Sequence, residues 1–207
     1  MVLSACQTHP NTPAITEDEP AISTTNQPPA DDREPADMSS ATANADGSPI
    51  IFDPWEAGRN LPDPCRELSK QTLNDIGFKS NYERQTYGLN DELLGKGISC
   101  DVDSISENEE VTIQGFYSDN VNKKYIKEEG LFIRDAAESQ VPNAYFYTFS
   151  PEDKSSCYIG AHTHRGRLGI MVAGPTTWTW KESCTLALKY FDKTYEATDG
   201  FSWLKQR

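Results

Sequence analysis

The spacing of apolar residues changes several times along this chain, and each spacing predicts an element. The domain opens with the apolar run Ile50-Ile51-Phe52, followed by Asp53-Pro54-Trp55 and a loop to Pro62-Asp63-Pro64-Cys65. Leu73 and Ile76 then supply part of a helical stripe. Ser69 is placed to cap this helix, Leu68 and Leu73 to staple its start, and Gly77 to end it. Residues 98–103 and 110–117 alternate in polarity, the two-residue period of a strand. Asn120 or Ser118 can cap a short second helix carrying Val121, Tyr125 and Ile126.

After Pro142 the pattern turns to strands. Ala144-Tyr145-Phe146-Tyr147-Thr148-Phe149 is aromatic and strand-like, and Ser156-Cys157-Tyr158-Ile159 begins another strand. Arg165-Gly166 marks a turn, with Leu168-Gly169-Ile170-Met171-Val172 returning. The last helix has the clearest signature. Thr179 and Glu182 stand at capping-box spacing, and Trp180, Cys184, Ala187, Phe191 and Tyr195 recur at helical intervals. The order is helix, two strands, short helix, three strands, helix. It predicts an α+β fold in a single domain over residues 50–207, a mostly antiparallel sheet packed with about three helices.

Composition changes the picture ahead of residue 50. Residues 7–49 are mostly Thr, Pro, Ala, Ser, Asn, Asp and Glu, with Arg33 the only Lys or Arg. Such a segment buries too little apolar surface to offset its chain entropy, so a disordered acidic tether is expected. A flexible chain of about forty residues spans roughly 35 Å. The net charge of −13 argues against nucleic acid and against direct adhesion to an anionic bilayer. No apolar run reaches the roughly 18 residues of a membrane-spanning helix.

Cysteine placement adds an address. Leu3-Ser4-Ala5-Cys6 has the form of a lipobox, where a bacterial signal peptide is cut and the new N-terminal cysteine is lipidated. Only Met1 and Val2 precede it, so residues 1–6 are read as the remnant of a signal peptide whose apolar region starts further upstream. Two or three acyl chains on Cys6 make a stable anchor, since each buried CH₂ contributes about 0.8 kcal/mol. Cys65, Cys100, Cys157 and Cys184 remain, without a CxxC pair. In an exported protein four such cysteines suggest two disulfides, with three connectivities open. The pairing expected is Cys65 with Cys184, tying the domain's start to its last helix, and Cys100 with Cys157, cross-linking two strands.

Catalytic and metal-binding patterns are sparse. His162 and His164 share one face of a strand, but a metal site needs further ligands that the sequence does not nominate. Beside Arg165 and Arg167 they read as a polar, solvated hairpin end. Asp101 and Asp103, with Glu107, Glu109 and Glu110, read as acidic loops rather than a glycosidase pair. There is no GxSxG or HExxH, and Gly95-Lys96-Gly97 lacks the rest of a phosphate-binding loop. Trp178 and Trp180 beside a helix start, with Tyr145 and Tyr147 on the aromatic strand, are the candidate binding surface.

An ordered set of short motifs resembles a known family. Asp63-Pro64-Cys65, the helix ending at Gly77, Cys100 on a strand, Val141-Pro142-Asn143, Cys157-Tyr158-Ile159, Gly166-Arg167-Leu168-Gly169-Ile170 and Cys184-Thr185-Leu186-Ala187 follow one another in that sequence. The set is similar to the actinobacterial exported lipoproteins of domain of unknown function 3558, over roughly residues 50–195. Two positions differ: Val102 stands where the family often has Trp, and Thr194-Tyr195-Glu196 replaces its Leu-Pro ending. The resemblance implies an envelope location in a Gram-positive, mycolic-acid-bearing bacterium. It implies no activity, so no catalytic residue is carried over.

These readings converge on a cell-membrane lipoprotein, lipid-anchored on the extracytoplasmic face, with a non-enzymatic binding or accessory domain and no cofactor. The partners expected are the membrane, through the anchor, and an envelope protein complex. The alternatives are an accessory subunit of a membrane complex, for example a respiratory one, and a lipid or small-molecule carrier.

Overall fold

Two short helices, each begun by an Asp-Pro step, precede the sheet. In the computed structural model, which describes residues 40–88, 95–104 and 111–205, these are α1 (Pro54–Arg59) and α2 (Pro64–Glu67). Asp53 caps α1 by accepting from the N–H groups of Trp55 and Glu56, and Pro54 sits where a helix has no use for an N–H. α3 (Lys70–Ile76) follows with the expected caps. The Ser69 hydroxyl accepts from the Thr72 N–H, and the chain leaves through Gly77 at φ +106°, a conformation that costs other residues roughly 1–2 kcal/mol.

Seven strands then form one antiparallel sheet. β1 (Phe78–Tyr87), β2 (Gly97–Ser104) and β3 (Ile113–Asp119) make a first meander. α4 (Lys123–Glu128) leads to a second meander of β4 (Phe132–Asp135), β5 (Tyr145–Tyr147), β6 (Ser156–Thr163) and β7 (Gly166–Ala173). The meanders join where β3 pairs with β7, giving the order β1-β2-β3-β7-β6-β5-β4. α5 (Trp180–Ala197) closes the fold, with a 3₁₀ turn at Ser202–Leu204. No helix among the described residues is long and apolar enough to cross a membrane.

One face of the sheet carries the main core. Cross-strand neighbours Cys100, Phe116, Ile170, Ile159 and Phe146 lie in one row on it, all buried. α5 lies over β6 and β7 and presents Cys184, Ala187, Phe191 and Thr194, the three- and four-residue stripe of an amphipathic helix. Its start is fixed as expected: the Glu182 carboxylate accepts from the N–H and hydroxyl of Thr179. Leu73 and Ile76 of α3 join the same core.

Several elements differ from the sequence reading. β1 was not expected, because only Phe78 is buried along its ten residues. It is the edge of the sheet, held by main-chain pairing with β2, and an edge strand wet on both sides has no apolar period. Residues 40–49, placed by composition in the tether, are part of the packed domain. Ala41, Thr42 and Ala43 are buried, and Asn143 donates from Nδ2 to the carbonyls of Thr42 and Gly47. Small side chains gave no apolar signal there. Cys6 and residues 7–39 lie outside the described residues.

The disulfides are Cys65–Cys100 and Cys157–Cys184, not the pairs expected. Strand order is the reason. Cys100 on β2 and Cys157 on β6 are separated by β3 and β7, three spacings or about 14 Å. A disulfide tolerates no more than about 7 Å between Cα atoms. The observed pairs stand at 5.5 and 5.0 Å. Each bond fastens a helix to the strand beneath it: α2 to β2 and α5 to β6. All four cysteines are buried.

Candidate functional site

The second face of the sheet, away from α5, holds the unusual chemistry. Cross-strand register places Ser99, Tyr117, Gly169, Gly160 and Tyr145 in one row and Asp101, Gly115, Met171, Tyr158 and Tyr147 in the next. Gly160 and Gly169 are direct partners between Tyr117 and Tyr145. A Cβ at Gly169 would lie 2.3 Å from the Ile159 carbonyl oxygen, so the backbone approach there requires glycine. α4 and the start of β4 cover part of this face, with Ile126, Tyr145 and Tyr147 forming a small second core.

At the centre is a buried ion pair. Arg167 on β7 and Asp119 at the end of β3 are cross-strand partners with side chains 0% and 1% exposed. Arg167 Nη2 donates to Asp119 Oδ2, and the Val121 N–H donates to Oδ1 at 2.9 Å. The guanidinium stacks 4.0 Å from the Tyr147 ring centroid, and Nη1 lies 3.4 Å from the Tyr145 hydroxyl. Burial pushes the Asp119 carboxyl up, opposed by Arg167 and the Val121 N–H. Arg167, expected at a solvated hairpin end, is instead fully buried. A charge between Gly166 and Leu168, at the head of an apolar strand, was the available signal, but its partner is 48 residues away.

His162 continues the network. The Lys123 N–H donates to Nε2 at 3.0 Å, so Nε2 is the acceptor and the ring proton sits on Nδ1, donating to the Ile50 carbonyl at 3.1 Å. The Tyr145 hydroxyl is 3.2 Å from Nε2. Burial pushes the imidazole down to about 4, aided by the charges of Arg167 and Lys123 and resisted by the bond to Ile50. The ring is therefore neutral at physiological pH. The unfolded chain takes up this proton near pH 6.5 and the folded one only near 4. Stability is thus complete above about 6.5 and falls as pH drops toward 4, by at most about 1.4 kcal/mol per unit for one proton. Urea midpoints between pH 6.5 and 4.5, compared with the His162→Gln protein, are expected to show a steeper decline in the parent. Equal slopes would remove His162 as the cause. Glu138, held down to about 2 chiefly by its hydrogen bond to Arg134, releases its contribution only below about 4.5 and leaves this window clear.

A continuous run of rings crosses the same face. Tyr87 contacts Tyr117, which meets Phe149 at 5.0 Å, and Phe149 meets Tyr158 at 4.5 Å. Tyr158, Tyr147, Tyr145 and His162 follow, each 5.2 to 5.8 Å from the next. Burial pushes the phenols of Tyr117, Tyr145, Tyr147 and Tyr158 up, so all four stay neutral. Phe149 and Tyr87 reach solvent.

Beyond Tyr87 the face ends in a cleft of about 510 Å³, between α1–α2 on one side and the ends of β1 and β2 on the other. Its charged lining is Arg59, Asp63, Arg66, Glu67, Lys96 and Arg165. Arg165, from the β6–β7 turn, grips both carboxylate oxygens of Glu67 at 2.7 Å. It also donates to the carbonyls of Asn60 and Leu61. Arg84 holds both oxygens of Asp63 at 3.0 to 3.2 Å through Nε. No local sequence motif marks this cleft, because its walls come from four separate segments.

The residues expected to form a binding surface are not brought together. Tyr145 and Tyr147 are buried in the second core, on the face away from α5. Trp178 and Trp180 are half-buried at the start of α5 and pack against the main core on the opposite face. Tyr145 and Tyr147 therefore present no surface. His164 is exposed at the β6–β7 turn, outside the network that holds His162. Among the described residues no three of His, Cys, Asp and Glu gather as metal ligands. Asp103 is exposed beside Lys79 and Asn81, and Asp101 is half-buried, its carboxyl pushed up by burial. Glu107, Glu109 and Glu110 lie outside the described residues.

The fold and site define an α+β domain with one seven-stranded antiparallel sheet, two buried disulfides and a charged cleft. Comparison with protein-family models, curated proteins and solved structures finds no match.

Proposed function

We propose that this chain is an exported lipoprotein, anchored through Cys6 to the outer face of the plasma membrane, whose domain is a non-enzymatic binding or accessory module. The observation that carries the reading is the pairing of all four domain cysteines in two buried disulfides. Disulfides persist in oxidising compartments outside the cytosol. The lipobox ending at Cys6 adds an attachment consistent with that address. The non-enzymatic part is supported by how the acid, base and cationic groups are engaged. Asp119 and Arg167 are held in a buried pair that a half-buried His162 joins through Tyr145, and Arg165–Glu67 and Arg84–Asp63 are structural pairs.

Growth of the natural host with an alkyne fatty acid is expected to label the protein, and Cys6→Ser to abolish both the label and membrane retention. Labelling that survives Cys6→Ser would sink the anchor. Affinity isolation from gently solubilised membranes then addresses the domain. A stoichiometric envelope protein supports an accessory subunit, and a retained lipid in native mass spectrometry supports a carrier.

A further inference from the structure

The cleft beyond Tyr87 has the wrong charge for the protein that contains it. The chain carries −13 overall, yet four cationic side chains line this recess against two anionic ones. The two carboxylates are also already engaged. Both oxygens of Glu67 accept from Arg165, and Oε1 accepts the Asp63 N–H as well at 2.8 Å. Both oxygens of Asp63 accept from Arg84, which is not itself part of the lining. Arg66 approaches Asp63 only to 3.7 Å, and its side chain is 70% exposed. Arg59 pairs with Glu56, at a position outside the lining.

We propose that this cleft binds a small phosphate-bearing ligand, with Arg66 and Arg59 as its main contacts and Tyr87 as the wall for the ligand's ring or carbon skeleton. A recess whose lining carries an excess of positive charge between low-dielectric walls holds a positive potential and draws in anions. Guanidinium groups present paired donors that match phosphate oxygens. Tyr87, Leu61 and Ile98 give the recess an apolar side. Its volume of about 510 Å³ lies within the range of small-molecule sites. The proposal deepens the binding-module reading and is independent of the anchor.

The same chemistry is offered by a soluble sugar phosphate and by a phosphoinositide headgroup in a bilayer. Calorimetry on the purified full chain with glucose 1-phosphate, and with glucose as the uncharged control, tests the first source. Sedimentation with neutral phosphatidylcholine vesicles, with and without phosphatidylinositol phosphate, tests the second. Binding of either phosphate probe, weakened at least about tenfold by Arg66→Glu and by raising salt, is the result expected. Arg66 is mostly solvent-exposed and its approach to Asp63 is long, so this variant is expected to keep a cooperative urea transition with a midpoint near the parent's. No binding in either arm, or binding that Arg66→Glu leaves unchanged, overturns the proposal. The broader reading falls separately, if isolation from membranes yields neither protein nor lipid.

Discussion

Alanine at Cys65, Cys100, Cys157 and Cys184 together is expected to abolish cooperative folding at room temperature. The bonds close loops of 35 and 27 residues. In the chain-entropy account these limit the unfolded state by about 4 and about 3.5 kcal/mol. The sum is comparable to the whole stability of an ordinary domain, about 5–15 kcal/mol. Position adds to the effect. One bond pins α2 to β2 near the sheet's edge and the other pins α5 to β6, so both hold helices against the main core. Near-UV circular dichroism and urea titration measure the loss. Peptide mapping without reductant is expected to recover Cys65 joined to Cys100 and Cys157 joined to Cys184. A four-alanine protein with a transition within about 2 kcal/mol of the parent would falsify this account.

The second large effect is expected at the buried ion pair. Asp119→Asn leaves Arg167 charged in a site where its guanidinium is fully buried. Removing one partner of a buried pair costs about 3–5 kcal/mol, because the remaining charge is uncompensated. Asn keeps an acceptor for the Val121 N–H, so the loss reports charge rather than a missing backbone hydrogen bond. Replacing Arg167 by Met in the same protein is expected to recover much of that loss, since Met fills the space beside Tyr147 without a charge. Urea unfolding of the parent, the two single variants and the double variant gives the coupling directly. Additive losses would show that the two residues act separately, contrary to the geometry.

Local signals were legible in the sequence wherever one segment carries its own information. The Ser69 cap, the Gly77 exit and the Thr179–Glu182 start of α5 each depend on residues within a few positions. The β6–β7 hairpin is equally local, and so is the stripe along α5. α1 was legible in principle, since Asp53-Pro54 is a cap followed by proline at the first helical position. β1 was not, because its stability comes from pairing with β2 and, apart from Phe78 at its start, not from burial of its own side chains.

The sites follow the same division. Tyr145 and Tyr147 were marked as aromatic, which they are, but whether a strand's aromatic side chains reach solvent depends on what lies above them. Here α4 and β4 lie there. Arg167 looked like a surface charge until β3 placed Asp119 beside it. The cleft needs α1, α2, the ends of β1 and β2, and the β6–β7 turn, so no single stretch of sequence contains it.

By itself the amino-acid sequence determined the fold class, the helical signatures of α3 and α5, the alternation of several strands, the charge, and the even count of domain cysteines. Those follow from composition and from contacts within a few residues. The tertiary structure alone decided which cysteines pair, which charges are buried and where positive charge collects. The reason is strand order: joining β3 to β7 sets β2 and β6 three strands apart and brings Asp119 against Arg167.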